Sequence, residues 1–435
     1  MKKLFLLALS VISIGSNAQS LYFPPTTGTV WDTLSPSSLG WCQPRIDSLY
    51  NYLEARHSKG FMILKDGKIV LERYFGTFTT DSVHYWASAG KSLTAMNVGI
   101  AQQEGLLNIN STASTYLGNG WTVAPVNKEN LITVKHLLTM TSGLDDAVSA
   151  PCTNEDTSTA CLQYLADAGT RWAYHTGAYR KLQKVVSNVS GTGYTAFTNN
   201  RIGTHIGMSG AWFNGVYFSK MRGMARYGLL ALNKGVWDTD TILNDTEYFA
   251  AMTQTSQNFN LSNGYLWWLN GQASVMVPGL QTVIHQQLFP DAPADLFAAL
   301  GKNDQKIYVV PSKNMVVVRF GDAAYTSQLA FSDFDNELWL YIDSLDYGCD
   351  PTAAIEREDK TTFRVYPNPA QNTLTLSGID DASQKVELAI YNQVGQLLKT
   401  SENISTLDIS GLDAGLYFIK IKQNGRVHLR SWGKE

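Results

Sequence analysis

The chain has 435 residues, of which 44% are hydrophobic and 11% aromatic, and its 34 basic and 37 acidic residues leave a formal net charge of −3. Such a composition is that of a globular chain with material for more than one domain, and it excludes disorder and collagen-like repetition. With the charges nearly cancelling and no long run of one sign, there is no electrostatic footprint for nucleic acid.

The chain opens with Lys2 and Lys3, continues apolar over residues 4–14 and reaches the small pair Ser16 and Ala18. This is the pattern of a signal peptide over residues 1–18, with the mature chain starting at Gln19. The apolar run is too short to span a bilayer, and no later stretch reaches roughly 18 uninterrupted apolar residues, so no stable membrane insertion is expected. Export makes disulfides plausible for the four cysteines. Cys152 and Cys161 bracket a short polar loop and are natural partners. Cys42 precedes one helical pattern and Cys349 follows another, so these two can meet if the helices pack antiparallel; free thiols are the alternative. CxxC, HxH and HExxH patterns are all missing, so neither a metal site nor a cofactor is expected.

After a turn-rich lead, Ile46, Leu49, Tyr50 and Leu53 mark the first helix, and residues 61–64 and 69–74 alternate around the Asp66-Gly67 turn as a hairpin. A helix starting near Ser88 carries Leu93, Met96, Val98 and Ile100 and stops at Gly105; being apolar on nearly every face, it is expected to be buried. Residues 132–140 and 221–232 read as further helices. Strands return at 296–299, 305–310 and 315–320, with a turn at Pro311, and Phe334, Leu338, Leu340, Tyr341 and Leu345 mark a last helix. This order predicts an α+β fold: one antiparallel sheet built from both chain ends, flanked by helices, with an inserted all-helical lobe. Residues 350–361 are charged and aperiodic, the texture of a linker. From 362 to 435, short alternating runs such as Thr373-Leu374-Thr375-Leu376 recur between turn residues, as in a small β-sandwich.

The end of the chain resembles a known family. Val365-Tyr366-Pro367-Asn368-Pro369, then Ile390-Tyr391-Asn392 with Gly395-Gln396, then Leu412-Asp413-Ala414-Gly415-Leu416-Tyr417-Phe418 are similar to the C-terminal sorting domain of type IX secretion cargo. The resemblance implies passage through the periplasm to the cell surface or exterior, with the secretion machinery as a partner and removal of the domain afterwards.

Ser88-Ala89-Gly90-Lys91 is a Ser-x-x-Lys tetrad at the start of the buried helix. A serine and a lysine one turn apart share a face, so the amine can take the hydroxyl proton. It must be neutral to do so, which burial favours. The helix start also offers a backbone N–H, that of Ser88, to an oxyanion. A second match, Ser431-Trp432-Gly433-Lys434, lies at the end of the small sandwich, and only context separates the two.

Residues 85–95 around the first tetrad, Tyr85-Trp86-Ala87-Ser88 through Thr94-Ala95, resemble the nucleophile segment of the serine β-lactamase, penicillin-binding protein and esterase superfamily, nearest its class C and esterase branch. Val134-Lys135-His136-Leu137-Leu138 to Thr141-Ser142-Gly143-Leu144 resembles a segment downstream in that branch. Arg226-Tyr227-Gly228-Leu229-Leu230, Asn233-Lys234-Gly235-Val236-Trp237 and Gly264-Tyr265-Leu266-Trp267-Trp268 resemble further landmarks. The likeness spans most of residues 40–347 and implies a serine β-lactamase-like domain over 19–349.

The family's second element, Tyr-x-Asn, reads Tyr174-His175-Thr176 here. The resemblance gives Tyr174 a proton relay to the leaving group and water, with the lysine's field favouring phenolate. Thr176 in place of the asparagine weakens the contact to a β-lactam side-chain amide, and His175 is a supplementary candidate for proton transfer. The third element, Lys-Thr-Gly, becomes Ala299-Leu300-Gly301, keeping only the glycine that allows close backbone approach; the amide of Lys302 is then the second oxyanion donor. What disappears is the cation and hydroxyl that hold a β-lactam carboxylate.

The expected function is therefore a secreted serine hydrolase acting on a small-molecule ester or amide through a Ser88 acyl-enzyme, more esterase or amidase than β-lactamase. D-Ala-D-Ala carboxypeptidase or β-lactamase activity is the nearest alternative. A catalytically inactive peptidoglycan- or glycan-binding protein is the alternative of another class. An α/β-hydrolase would need Gly-x-Ser-x-Gly, which does not occur.

Overall fold

The computed structural model of the protein describes residues 21–325, 333–348, 363–377, 385–392, 395–423 and 426–435. The expected signal peptide, Cys349 and the linker over 350–361 lie outside the described residues. Among the described residues, no helix is long and apolar enough to cross a membrane.

The larger part of the described chain, before residue 349, is built on a six-stranded sheet. Its strands are β1 (Ser58–Lys65) and β2 (Lys68–Tyr74) near the beginning, and β6 (Trp268–Leu269), β7 (Phe297–Gly301), β8 (Gln305–Val310) and β9 (Met315–Gly321) near the end. They pair antiparallel throughout in the order β2-β1-β9-β8-β7-β6, so both chain ends share one sheet as expected. The β1–β2 connection turns at Asp66 and Gly67, both at positive φ, as a two-residue hairpin loop requires.

Alternation along β8 and β9 sends successive side chains to opposite layers. Val316 and Ile307 face helix α4 (Met221–Leu232), where Gly228 has no room for a Cβ: one would lie 2.5 Å from Val316. Tyr308 and Arg319 face the other layer, made by α1 (Gln43–Ala55) and α5 (Asp333–Ser344), where Tyr52 stacks on Phe334 and Tyr341. That layer holds a wholly buried ionic group: the Lys306 ammonium lies 2.8 Å from the Asp335 carboxylate and 3.1 Å from that of Asp304, and the Tyr308 hydroxyl donates to Asp335 at 2.6 Å.

The lobe contains α2 (Gly90–Gln103) and α3 (Thr176–Ser190). Twelve residues of α2, Gly90 to Ala101, are buried, as its all-round apolar pattern predicts. The helix starts two residues after Ser88, which sits in a single 3₁₀ turn, and ends before Gly105 at φ 71°. The helix expected over 132–140 shrinks to Val134–Leu138, because Thr133 caps it with His136 and Met140 turns to φ 58°. A small separate sheet was not anticipated from the sequence: β3 (Val83–Tyr85) pairs with β5 (Val216–Lys220), which pairs with β4 (Gly210–Phe213).

Beyond residue 362, seven strands form two antiparallel sheets of three and four strands around their own core, which includes Leu374, Ile390, Ile419 and Trp432. This matches the expected β-sandwich. It touches the larger part of the chain where Arg430 meets Asp333 at 2.7 Å and where the Thr282 hydroxyl donates to the Gly395 carbonyl at 3.3 Å. Ser431-Trp432-Gly433-Lys434 runs along its last strand and starts no helix.

Candidate active site

The turn that carries Ser88 is fixed by the ring before it. Trp86 is fully buried, donates from Nε1 to the Ser219 hydroxyl at 2.8 Å, and packs against Tyr217 and Tyr227. Ala87 then takes φ 48°, a left-handed conformation that a residue with a Cβ adopts only under constraint. The result is a half-buried Ser88 just ahead of α2.

Lys91, in the first turn of α2, is 3% exposed, and its Nζ lies 2.8 Å from Ser88 Oγ. The amine also reaches the Thr176 hydroxyl at 3.4 Å and lies over the rings of Tyr174 and Tyr179, 4.6 and 4.2 Å from their centroids. Burial pushes its pKa well below the ordinary 10.5; Arg180 adds to the shift and Glu155 opposes it. Loss of hydration penalises the charged form more than ring faces reward it, so the amine is poised toward neutrality.

Tyr174 stacks on Trp268, with centroids 6.1 Å apart and planes at 22°, and Trp172 meets Trp268 edge-on. Its hydroxyl is buried and makes no hydrogen bond of ordinary geometry among the described residues, although Ser88 is near enough to pull its pKa down. Burial outweighs that pull and raises the phenol above its ordinary 10. The same dry surroundings lower the Lys91 pKa and raise that of Tyr174, so burial opposes the phenolate that the lysine's field is expected to favour.

Thr176 opens α3 and turns its hydroxyl to Lys91. His175 caps that helix, its Nδ1 accepting from the Ala178 amide at 3.2 Å, while Nε2 meets no partner among the described residues. Burial lowers its pKa, so the neutral ring serves as a cap.

Gly301 ends β7 against the nucleophile turn; a Cβ there would lie 2.3 Å from the Trp86 carbonyl and 3.1 Å from the Ala89 amide nitrogen. Only glycine permits that approach, which brings the following residue, Lys302, beside the turn with its side chain exposed. The 301–305 turn is fastened on several sides: Asn303 donates to the Tyr85 hydroxyl at 2.8 Å, and Gln305 to the carbonyls of Asn303 and Gly321, each at 2.7 Å.

Cys152 and Cys161 form the expected disulfide. Cys42 is buried, its Sγ 3.4 Å from the Gly348 carbonyl; its expected partner Cys349 lies outside the described residues. Three residues that contribute to this site went unread in the sequence. Tyr179 is three positions after Thr176 on α3 and so shares its face, a signal that helical spacing carries. Trp268 was read as a landmark without a task. Asn154, inside the disulfide loop, carried no signal at all.

A serine and a buried lysine one turn apart, the amine's pKa driven down, with a phenol opposite and a glycine-backed strand end alongside, form the arrangement that serine-and-lysine acyl transfer requires. Residues 49–338 match the family described as Beta-lactamase, and 364–432 the Secretion system C-terminal sorting domain. The chain belongs to the beta-lactamase family, and its sorting domain marks it for secretion or cell-surface attachment. The chain is 30% identical over 190 residues to a putative penicillin-binding protein, PbpX, of Bacillus subtilis (strain 168), an overlap of 40% of this chain and 46% of that protein. It thus spans about half the length of that curated relative. Among solved structures, it resembles a putative 6-aminohexanoate-dimer hydrolase from Bacillus anthracis (TM-score 0.56, 18% identity, 73% of this chain and 88% of that one). It also resembles a family VIII carboxylesterase (TM-score 0.53, 14% identity, 70% and 98%). At such identities these likenesses establish the fold.

Proposed function

We propose that the chain is a secreted esterase or amidase that works through an acyl-enzyme on Ser88, with residues 19–349 as the hydrolase domain, 350–361 as linker and 362–435 as the sorting domain. The observation that carries this reading is the buried Lys91 amine 2.8 Å from Ser88 Oγ with its pKa driven down. Neutral Lys91 takes the Ser88 proton as Oγ attacks the carbonyl carbon, and the amides of Ser88 and Lys302 hold the oxyanion. The protonated Tyr174 phenol gives its proton to the leaving oxygen or nitrogen and recovers one from Lys91. Water then attacks the acyl-enzyme by the reverse relay.

Substrate preference follows from the third element. Ala299 and Leu300 are both 1% exposed and apolar, so they offer no cation or hydroxyl to a β-lactam carboxylate. An uncharged acyl group therefore fits better than an antibiotic. The family VIII carboxylesterase among the structural neighbours accords with this preference.

Two measurements on the purified protein test the proposal. Intact-mass analysis after a serine-directed fluorophosphonate is expected to show one adduct that Ser88→Ala abolishes; no adduct on either would favour the inert binding protein. Hydrolysis of a short-chain p-nitrophenyl ester is expected to exceed that of nitrocefin, and the opposite ranking would restore the β-lactamase reading.

A further inference from the structure

We infer that Asn154, carried on the loop closed by Cys152–Cys161, is a positioning residue that holds the Tyr174–Thr176 turn against Lys91; this rests on the proposed roles of Ser88, Lys91 and Tyr174. The Asn154 side chain uses both ends of its amide on that turn. Oδ1 accepts from the Thr176 amide at 2.8 Å, and Nδ2 donates to the Tyr174 carbonyl at 2.9 Å and to the Asp146 carbonyl at 2.9 Å. Its own carbonyl accepts from the Gly177 amide at 2.7 Å. One residue thus satisfies backbone groups on Tyr174, Thr176 and Gly177, the peptides that set the direction of the phenol and the threonine hydroxyl.

The fit is close enough to dictate sequence. A Cβ on Gly177 would lie 1.9 Å from the Asp156 carbonyl, so only glycine lets the loop seat on the turn. Arg180, one turn further along α3, donates to the Glu155 carbonyl at 3.0 Å and continues the contact. The single disulfide between cysteines nine residues apart closes the loop and limits how far it can open. On the other side, the Ala173 amide donates to the Met140 carbonyl at 2.9 Å, so the segment before Tyr174 is gripped from both flanks.

The chemistry needs this grip because the turn helps bury the Lys91 amine, and burial is what lowers its pKa. If the turn loosens, the amine is rehydrated, its pKa rises toward its ordinary value and a higher pH is needed to free it. Small displacements of a proton relay also lower turnover directly.

The test uses the full-length mature protein with p-nitrophenyl acetate as probe, and rates are normalised to sites titrated by fluorophosphonate. Asn154→Ala is expected to lower kcat per titrated site by about tenfold or more with KM within about twofold, and to move the acid limb of kcat/KM to higher pH. Asn154→Asp, which keeps the acceptor for Thr176 and loses the donors, should fall between it and the wild type. A wild-type kcat per site and an unmoved acid limb in Asn154→Ala would overturn the inference, since a residue that only stabilised the fold would change the fraction titrated and nothing else. Should Asn154→Ala fail to fold, Asn154→Asp and wild type reduced at Cys152–Cys161 give the same reading: unmoved limbs overturn it. Absence of any fluorophosphonate adduct on the wild type would instead sink the proposed chemistry itself.

Discussion

The Lys91 amine nitrogen lies 4.2 Å from the centroid of the Tyr179 ring, closer than to that of Tyr174. A ring face attracts a cation, worth about 0.5–2 kcal/mol, yet the direction of the Lys91 shift is downward. Burial is the largest cause of that shift, and the two rings are part of what buries the amine. The free-enzyme profile of kcat/KM for an ester should rise with pH through an apparent pKa below 10.5, because the base acts when neutral. A rate–pH profile measured with stopped-flow or initial rates checks this; a flat profile from about pH 5 to 10 would separate Lys91 from the role of base.

The same burial has a cost in folding. Between its folded pKa and the ordinary 10.5 of an unfolded lysine, the unfolded chain binds a proton that the folded chain lacks. Stability owed to this group therefore rises with pH through that window, and its penalty is fully present below the folded pKa. Lys91→Met should abolish the penalty: at neutral pH its Tm should exceed that of the wild type, with the difference closing toward pH 10.5. Its activity should fall by about 10²- to 10⁴-fold. Calorimetry across pH, paired with esterase assays, measures both.

Tyr174→Phe keeps the ring stacked on Trp268 and deletes a buried hydroxyl that has no hydrogen-bond partner of ordinary geometry among the described residues. Removing such a group is close to neutral for folding. The expected result is an unchanged or slightly higher Tm with kcat lowered by about 10²- to 10⁴-fold. A matching loss of Tm would make Tyr174 a packing residue.

Thr176→Val is nearly isosteric and removes the hydroxyl that accepts from Lys91 at 3.4 Å. Losing that acceptor disfavours the charged amine, so the acid limb of kcat/KM should shift to lower pH, opposite in sign to Asn154→Ala. The plateau rate should change by less than about tenfold.

Lys306 sits between Asp304 and Asp335 with all three side chains fully buried. Lys306→Met removes the ammonium that Asp304 and Asp335 share, a loss of about 3–5 kcal/mol. Urea unfolding should show it in the midpoint. Because Asp304 belongs to the turn after Gly301, ester turnover per titrated Ser88 should fall as well.

Periodicity exposed what repeats. The hairpin at Asp66-Gly67, the buried helix after Ser88 and the late strands each carry a pattern of period 2 or 3.6, and each lies where its pattern put it, with Ser88 and Lys91 one turn apart. Residues whose roles depend on distant partners were less visible. Asn154 acts through backbone groups twenty or more positions away, and only the fold brings those together. Trp268 finds Tyr174 across 94 positions of chain in the same way. The helix expected at 132–140 was cut short by a local cap that competes with periodicity. The β4–β5 hairpin was legible and missed: Asn214 and Gly215 are an Asn-Gly pair, both at positive φ, the strongest short hairpin signal. The charge states were the least readable, because they follow from burial and not from residue type.

The left-handed backbone at Ala87 bears on how such a protein can change. A residue with a Cβ held there costs about 1–2 kcal/mol, and what enforces it is the cage of Ser219, Tyr217 and Tyr227 around the indole of Trp86. The direction of Ser88 is thus set from behind, by rings that are themselves fully buried. Drift in that cage would detune the enzyme while leaving every reacting group in its place in the chain.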